Sequence, residues 1–596
     1  MAVRRIALFI LVSIFLVQPI FASDWPMSRR DASQRGAADD SLKLPLALAW
    51  QYNTVRFANN PSAPAIVGGV AYFASGDRVY AVDADFGALK WRYPAEQSLS
   101  AVIRSSPAVH NGVVYFGAGD GNLYAISADD GKFLWAFATG GAIRSSPIVV
   151  GDTVFVGSDD DHLYAINADT GASLWGESGF RTRGDIPHAP AAWGGIVTFA
   201  AMDLHIYGAS QSTGRTLWAY RTVSSAARSS PVISDNTVYI GTGSVVYGLS
   251  LRSGLQKLGI TLPSDVAGTP AISERDLYVV CRDKKLYAFA ISGRNVKPKW
   301  QEPAELTFTP TSGPTVAGDL VFVAGDRGVV AAFSAEDGSM LWRYVIAPAW
   351  VGGTTADYTN AASSPIVANG RLYVLTDDGA LHCFTSDAAD NSPPEVFDVM
   401  PSPGWPVSGS PPVLFQARLF DLGTGIDPDS IQLEVNGERV EHQFNYLTST
   451  LSYETPVTQP VRPMADGRHT ALVRATDWAG NVQKYEWSFI VDNRLRGRQP
   501  PRARAQPAPE TEARARPTAR PVRHEDAPEP PSPDPRPPAP DPVNYNGQDQ
   551  VIEEPGPRHP PRQYEASPDY VAEDHEVVPP PPPPEPAPYP PHPGTH

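Results

Sequence analysis

Two cysteines, Cys281 and Cys383, are all that this chain of 596 residues carries. They leave room for at most one disulfide, so the fold must be held by something other than covalent staples. Basic charge is also short, with 48 Lys and Arg against 64 Asp and Glu and a net charge of −16. That field repels a polyanion, which excludes nucleic acid as the expected partner. Neither a G-x-x-x-x-G-K-[ST] phosphate loop nor an H-E-x-x-H helix occurs.

Long apolar runs are confined to one place. In "MAVRRIALFILVSIFLVQPIFASDW", Arg4 and Arg5 precede an almost wholly apolar stretch from Ile6 to Phe21, and Ala22 is a small residue before a cut. The run is about sixteen residues, short of the roughly 20 needed to span a bilayer. Residues 1–22 are therefore expected to be a signal peptide, and the protein to be exported to the periplasm or cell surface. No cysteine follows the run to take a lipid, and no L-P-x-T-G sorting motif is present.

What the chain does have is repetition. "DGNLYAISADDGKFLW" at 120–135 returns as "DDHLYAINADTGASLW" at 160–175. The unit recurs with a short "SSP"-like approach, a β-rich run, an Asp or Gly turn, an "LYA" run, a Gly turn and a closing residue. The closing residues are Trp91, Trp135, Trp175, Trp218, Leu258, Trp300 and Trp342, spaced by 44, 40, 43, 40, 42 and 42. A period of about 40–45 residues with four short β runs is the signature of propeller blades, none of which buries enough alone. An eighth unit at 363–384 stops before its Trp strand, while "LALAWQY" (46–52) carries Trp50 with no preceding strands. Pairing the two closes a ring and removes its open edges. The reading is an all-β chain with an eight-bladed β-propeller over residues 24–386.

"AINADTGASLW" (165–175) and the lead-in "DWPMSRRDASQRG" (24–36) resemble the PQQ-like repeat family, the propellers related to quinoproteins. The resemblance implies either a dehydrogenase using pyrroloquinoline quinone or a non-enzymatic scaffold such as the propeller lipoprotein of the outer-membrane barrel-assembly machinery. For the enzymes it further implies adjacent cysteines over the quinone, Ca²⁺ held by acidic and amide side chains, and an Asp base. This chain has no adjacent cysteines, and no cofactor or metal is expected.

Within the repeat most residue choices have a structural reading. Trp50, Trp91, Trp135, Trp175, Trp218, Trp300 and Trp342 give flat surfaces for blade docking, and Gly131, Gly171 and Gly214 suit turns of positive φ. Tyr80, Tyr124, Tyr164, Tyr207, Tyr247 and Tyr287 read as packing. Cys281 and Cys383 replace small residues in blades six and eight and read as buried, unpaired thiols. Asp120, Asp160, Asp203, Asp283, Asp326 and Asp377 sit in the turn between strands two and three, where Asp serves hairpin geometry.

The candidate binding face is the one shared by that turn and the approach to strand one. "IRSSP", "IRSSP" and "ARSSP" put Arg104, Arg144 and Arg228 there, with His188 in the intervening blade. Two readings stand: each Arg stitches blades by pairing with a turn Asp, or the three form a cationic mouth for an acidic peptide or carboxylate.

Residues 387–406 read as a linker of Pro, Ser and Asp. Residues 407–493 alternate like a β-sandwich and resemble immunoglobulin-like modules of bacterial envelope proteins. Asp421, Asp427, Asp429 and Asp477 read as turn caps, with Ca²⁺ binding as the alternative. From Arg494 to His596 the chain holds 31 of the 61 prolines and is expected to be disordered. Residues 494–523 carry nine Arg against two Glu, and 524–596 fourteen acidic residues against three Arg, so the tail reads as a spacer or as a dock for a partner or the envelope surface. The expected function is non-enzymatic binding of an envelope protein or extended peptide. The alternatives are a quinone-dependent dehydrogenase or its degenerate small-ligand-binding relative, and a surface adhesin or glycan binder.

Overall fold

The structure, a computed structural model, describes residues 23–54, 62–176, 179–223, 229–346, 362–446, 448–457, 460 and 462–495. The expected signal peptide, nearly all of the proline-rich tail, and Arg228 lie outside these. Among the described residues the one helical element is the 3₁₀ turn Asp326–Gly328, and no helix is long and apolar enough to cross a membrane.

From Ala65 to Thr385 the strands fall into eight successive antiparallel sheets of four, two of which carry an extra strand. The fourth strand of the last sheet is Ala47–Asn53, which pairs with Ala380–Thr385 and sets Trp50 opposite Cys383. Buried clusters fill the seams between neighbouring sheets, including the seam between the eighth and the first, where Tyr373, Leu381 and Cys383 pack with Ile66, Phe73 and Tyr80. Both thiols are buried and unpaired, and burial pushes each up to about 12.

Six of the eight seams repeat one piece of chemistry. The indole of Trp91 donates to Ala128 O at 2.9 Å, Trp135 to Ala168 O at 3.0 Å, Trp218 to Leu251 O at 2.7 Å and Trp300 to Ala335 O at 3.1 Å, each in the loop between strands three and four of the next blade. Trp50 does the same to Ala84 O across the closing seam. That loop contains a glycine with its face against the indole. A Cβ on Gly131 (φ +70) would lie 2.7 Å from the Trp91 ring, so the glycine is required by both backbone and contact. Trp175 departs from the expected strand end. Gly176 and Gly179 interrupt the run, and the outer strand of blade three is the short Phe180–Arg181.

The innermost strand of each blade leaves one edge toward the axis. Residues 25–36 meet it in six of the eight blades, running past them in turn. Val109 N donates to Pro26 O, Ala192 N to Ala32 O, Ile233 N to Ser33 O, Ile272 N to Arg35 O and Val316 N to Gly36 O, at 2.7 to 2.9 Å. Trp25 and Ile66 exchange a pair, and Ala37–Ala38 continues as a parallel strand beside Thr315–Ala317. The guanidinium of Arg29, fully buried, donates to Pro314 O at 2.6 Å and Pro270 O at 2.7 Å.

After the ring come two sheets, ordered by strand as 395–400, 414–420, 450–454, 443–445 and as 406–407, 482–491, 467–477, 426–435, 438–440. They enclose a core of Phe415, Leu433, Val473, Trp487 and Phe489, forming a β-sandwich. The stretch 387–406 is corrected from a linker: Glu395–Met400 is one of its strands, with Val396 and Val399 in the core. Asp398 at φ +50 breaks the alternation there, which is why the sequence pattern hides the strand.

Gly131→Ala is expected to cost about 2–4 kcal/mol, combining left-handed strain with a clash on Trp91. Gly151→Ala, also at positive φ but with open space around its Cβ, should cost only about 1–2 kcal/mol. Urea unfolding midpoints of the two variants measure the difference.

Candidate functional site

The first serine of the approach motif serves its own blade: Ser105 Oγ accepts from Gly117 N at 2.8 Å and donates to Gly117 O at 2.9 Å. The second serine links blades. Ser106 Oγ accepts from Ala63 N of blade one, and Ser106 N donates to Ser146 Oγ of blade three. These hydroxyls form an inner ring of stitches that fixes where the approach segments present their neighbouring residues.

The four candidate residues of this face fare differently. Arg144 is paired twice, Nε with Asp159 at 2.7 Å and an NH2 group with Asp185 at 2.9 Å. Asp159 belongs to its own blade and Asp185 to the approach of blade four, so Arg144 stitches blades three and four. These partners hold its pKa above the ordinary value. Arg104 is exposed and has no ion-pair partner among the described residues. The carbonyl of His188 accepts from Ser145 Oγ at 3.0 Å, and its side chain is half-buried. Arg228 lies outside the described residues. Of the described three, the structure commits Arg144 to stitching blades and leaves Arg104 exposed.

It gathers others. A depression of 580 Å³ between blades three and four is lined by Asp161, Arg181, Thr182, Arg183 and Tyr207. Arg181 and Arg183 are exposed and have no ion-pair partner among the described residues. Met202, 51 % exposed, stands in the neighbouring turn, and Val223, 85 % exposed, follows the last strand of blade four on the same face. The short outer strand of blade three, Phe180–Arg181, ends at this space. Its sequence signal was present in the 43-residue step from Trp175 to Trp218, against 40 on either side, and in "FRTRG" after the glycines.

The turn aspartates are engaged within their blades. Tyr124 donates to Asp120 at 2.8 Å, Tyr164 to Asp160 at 2.8 Å, Tyr207 to Asp203 at 2.6 Å and Tyr287 to Asp283 at 2.7 Å. Burial and the aspartates raise all four phenols. The residues do not fit a quinone cofactor as the family's enzymes hold it. The cysteines are buried in separate blades, and four turn aspartates of this face, Asp120, Asp160, Asp203 and Asp283, are committed to tyrosines. Among the described residues the carboxylates that could converge on a cation are Asp390, Asp421 and Asp477, within 4.8 Å of one another. They lie outside the propeller, and each caps a turn: Asp390 accepts from Thr424 N, Asp421 from Gly425 N and Asp477 from Asn481 N.

Comparison with known proteins agrees with the geometry of the blades. A family model described as outer membrane protein assembly factor BamB matches residues 75–186, 138–306 and 300–392. The BamB of Shewanella oneidensis is 30 % identical over 135 residues, 23 % of this chain and 31 % of that protein. The BamB of Yersinia pestis is 28 % identical over 153 residues, 25 % of this chain and 38 % of that protein. The matched stretch thus spans about a third of the length of these curated relatives. The quinohemoprotein alcohol dehydrogenase of Comamonas testosteroni shares the fold, with a TM-score of 0.50 and 15 % identity over 64 % of this chain and 83 % of that one.

Burial, with Asp390 and Asp477 adding like charge, raises Asp421 to about 7. The folded state then holds a proton that the unfolded chain releases near pH 4, so stability falls as pH rises from about 4 to about 7. In chelator-treated protein the sandwich should melt at a higher temperature at pH 5 than at pH 8, and Asp421→Asn should flatten that dependence. Thermal scans followed by tryptophan fluorescence measure both.

Proposed function

The chain belongs to the outer membrane protein assembly factor BamB family of PQQ-like repeat propellers, and from that premise we propose that it is an exported, non-enzymatic binding protein of the cell envelope. Its partner is a protein or extended peptide received on the face where the approach segments and the turns between strands two and three meet. Assembly of outer-membrane proteins is the process in which we place it.

The observation that carries this reading is the depression between blades three and four, where Arg181 and Arg183 have no ion-pair partner among the described residues, with exposed Met202 and Val223 in adjoining segments. Apolar area next to Arg is what protein interfaces use, because a planar guanidinium gives bidentate contacts to carboxylates while the apolar surface gives up its water. The depression is polar and open rather than a closed apolar pocket, which favours a macromolecular partner over a small substrate. The sequence offers no adjacent cysteines, and four of the turn aspartates of this face are held by tyrosines. Both points count against quinone chemistry at this site.

The test is photo-crosslinking in the native cell from position 202, in the exposed neighbouring turn, followed by mass spectrometry. Capture of an outer-membrane assembly protein is expected. Arg181→Gln with Arg183→Gln should lower that yield by roughly tenfold or more, the cost of two charge-assisted contacts, with an unchanged melting temperature. Unchanged capture by the double variant would overturn the assignment of this surface.

A further inference from the structure

Six tryptophans of the ring dock on the loop between strands three and four of the following blade, Trp175 reaching Gln211 O in blade four. The seventh blade cannot follow the rule. Its neighbour, blade eight, takes its outer strand from Ala47–Asn53, so its third strand, ending at Thr385, has no such loop after it.

Trp342 finds its acceptor elsewhere. Its indole donates to Thr424 O of the sandwich at 3.1 Å. Around it, Tyr344 OH donates to Leu422 O at 2.9 Å, and Leu48 N of the closing strand donates to Gly423 O at 3.1 Å. Trp478 Nε1 donates to Arg343 O at 3.0 Å, and the Arg343 guanidinium lies 3.7 Å from the Tyr446 ring centroid. The loop is held in this shape from behind, because Asp390 accepts from both Thr424 N and Thr424 Oγ1 at 2.8 Å.

We propose that residues 421–425 of the sandwich serve as the missing loop of the closing blade, so that the sandwich is the latch that keeps the propeller ring shut. One hydrogen bond is the same indole-to-carbonyl bond that joins the other blades, and another reaches the closing strand itself. The sandwich is in this reading a structural part of blade eight. The inference is independent of which partner the opposite part of the ring binds.

Hydrogen–deuterium exchange on the full chain tests it. Tyr344→Phe combined with Trp478→Phe removes two of the latch hydrogen bonds while keeping aromatic rings in both places. If the sandwich latches the ring, amides of 47–53 should exchange roughly tenfold faster or more, since local opening is limited by the contacts that hold the strand. Peptides of blade two should be unchanged. Faster exchange confined to 421–425 and 478–481, with 47–53 at the wild-type rate, would overturn the proposal. Should the double variant fold poorly, Tyr344→Phe alone keeps its ring against Phe384, 5.0 Å between centroids, and must give the same order of effects with a smaller factor.

Discussion

The structure depends on how the inner edge of every blade is satisfied. A four-stranded antiparallel sheet has two edges, and in a ring of sheets the inner ones converge on the axis, where unpaired amides are costly. Residues 25–36 meet this demand with their own carbonyls, touching blades one, two, four, five, six and seven in sequence order. Arg29 adds two donors for the proline carbonyls of the approaches to blades six and seven. The seams, the serine stitches and the positions of the face residues all presuppose that the inner strands are held there.

The frame departs from its own pattern at several blades. Regular blades present turns whose polar groups are consumed internally, aspartate by tyrosine and serine by backbone. In blade three, whose outer strand is cut to Phe180–Arg181, Arg181 and Arg183 are exposed with no ion-pair partner among the described residues. Where blade eight lacks a loop, the sandwich supplies one. The repeat is thus a frame, and at blade eight it is completed by something other than itself.

Much of this was legible in the chain. The 40–45-residue period and the Trp–Gly pairing are local, because each blade writes its own strands and turns within one repeat. The position of Trp50, lacking strands before it, pointed across the ring. Arg144 was legible as to type and face but not as to partner, since Asp185 belongs to the next blade and only the fold brings it to 2.9 Å. The strand at 395–400 was hidden because Asp398 takes a left-handed backbone that interrupts the two-residue period. The meeting of Trp342 with Thr424, 82 positions apart, could not be read from either segment alone.

The lead-in has one more consequence, for the order of events. Arg29 bonds to a carbonyl 285 positions later, and the Asp40 carboxylate accepts from an amide 330 positions later. Contacts of such span close the largest loops in the chain, and entropy delays them until the intervening blades are built. The first residues of the domain to leave the ribosome are therefore among the last to be placed. Until the ring is complete, inner strands of several blades stand with one side unpaired. A nascent chain of this design needs to be kept from pairing with its neighbours, whatever it later does once folded.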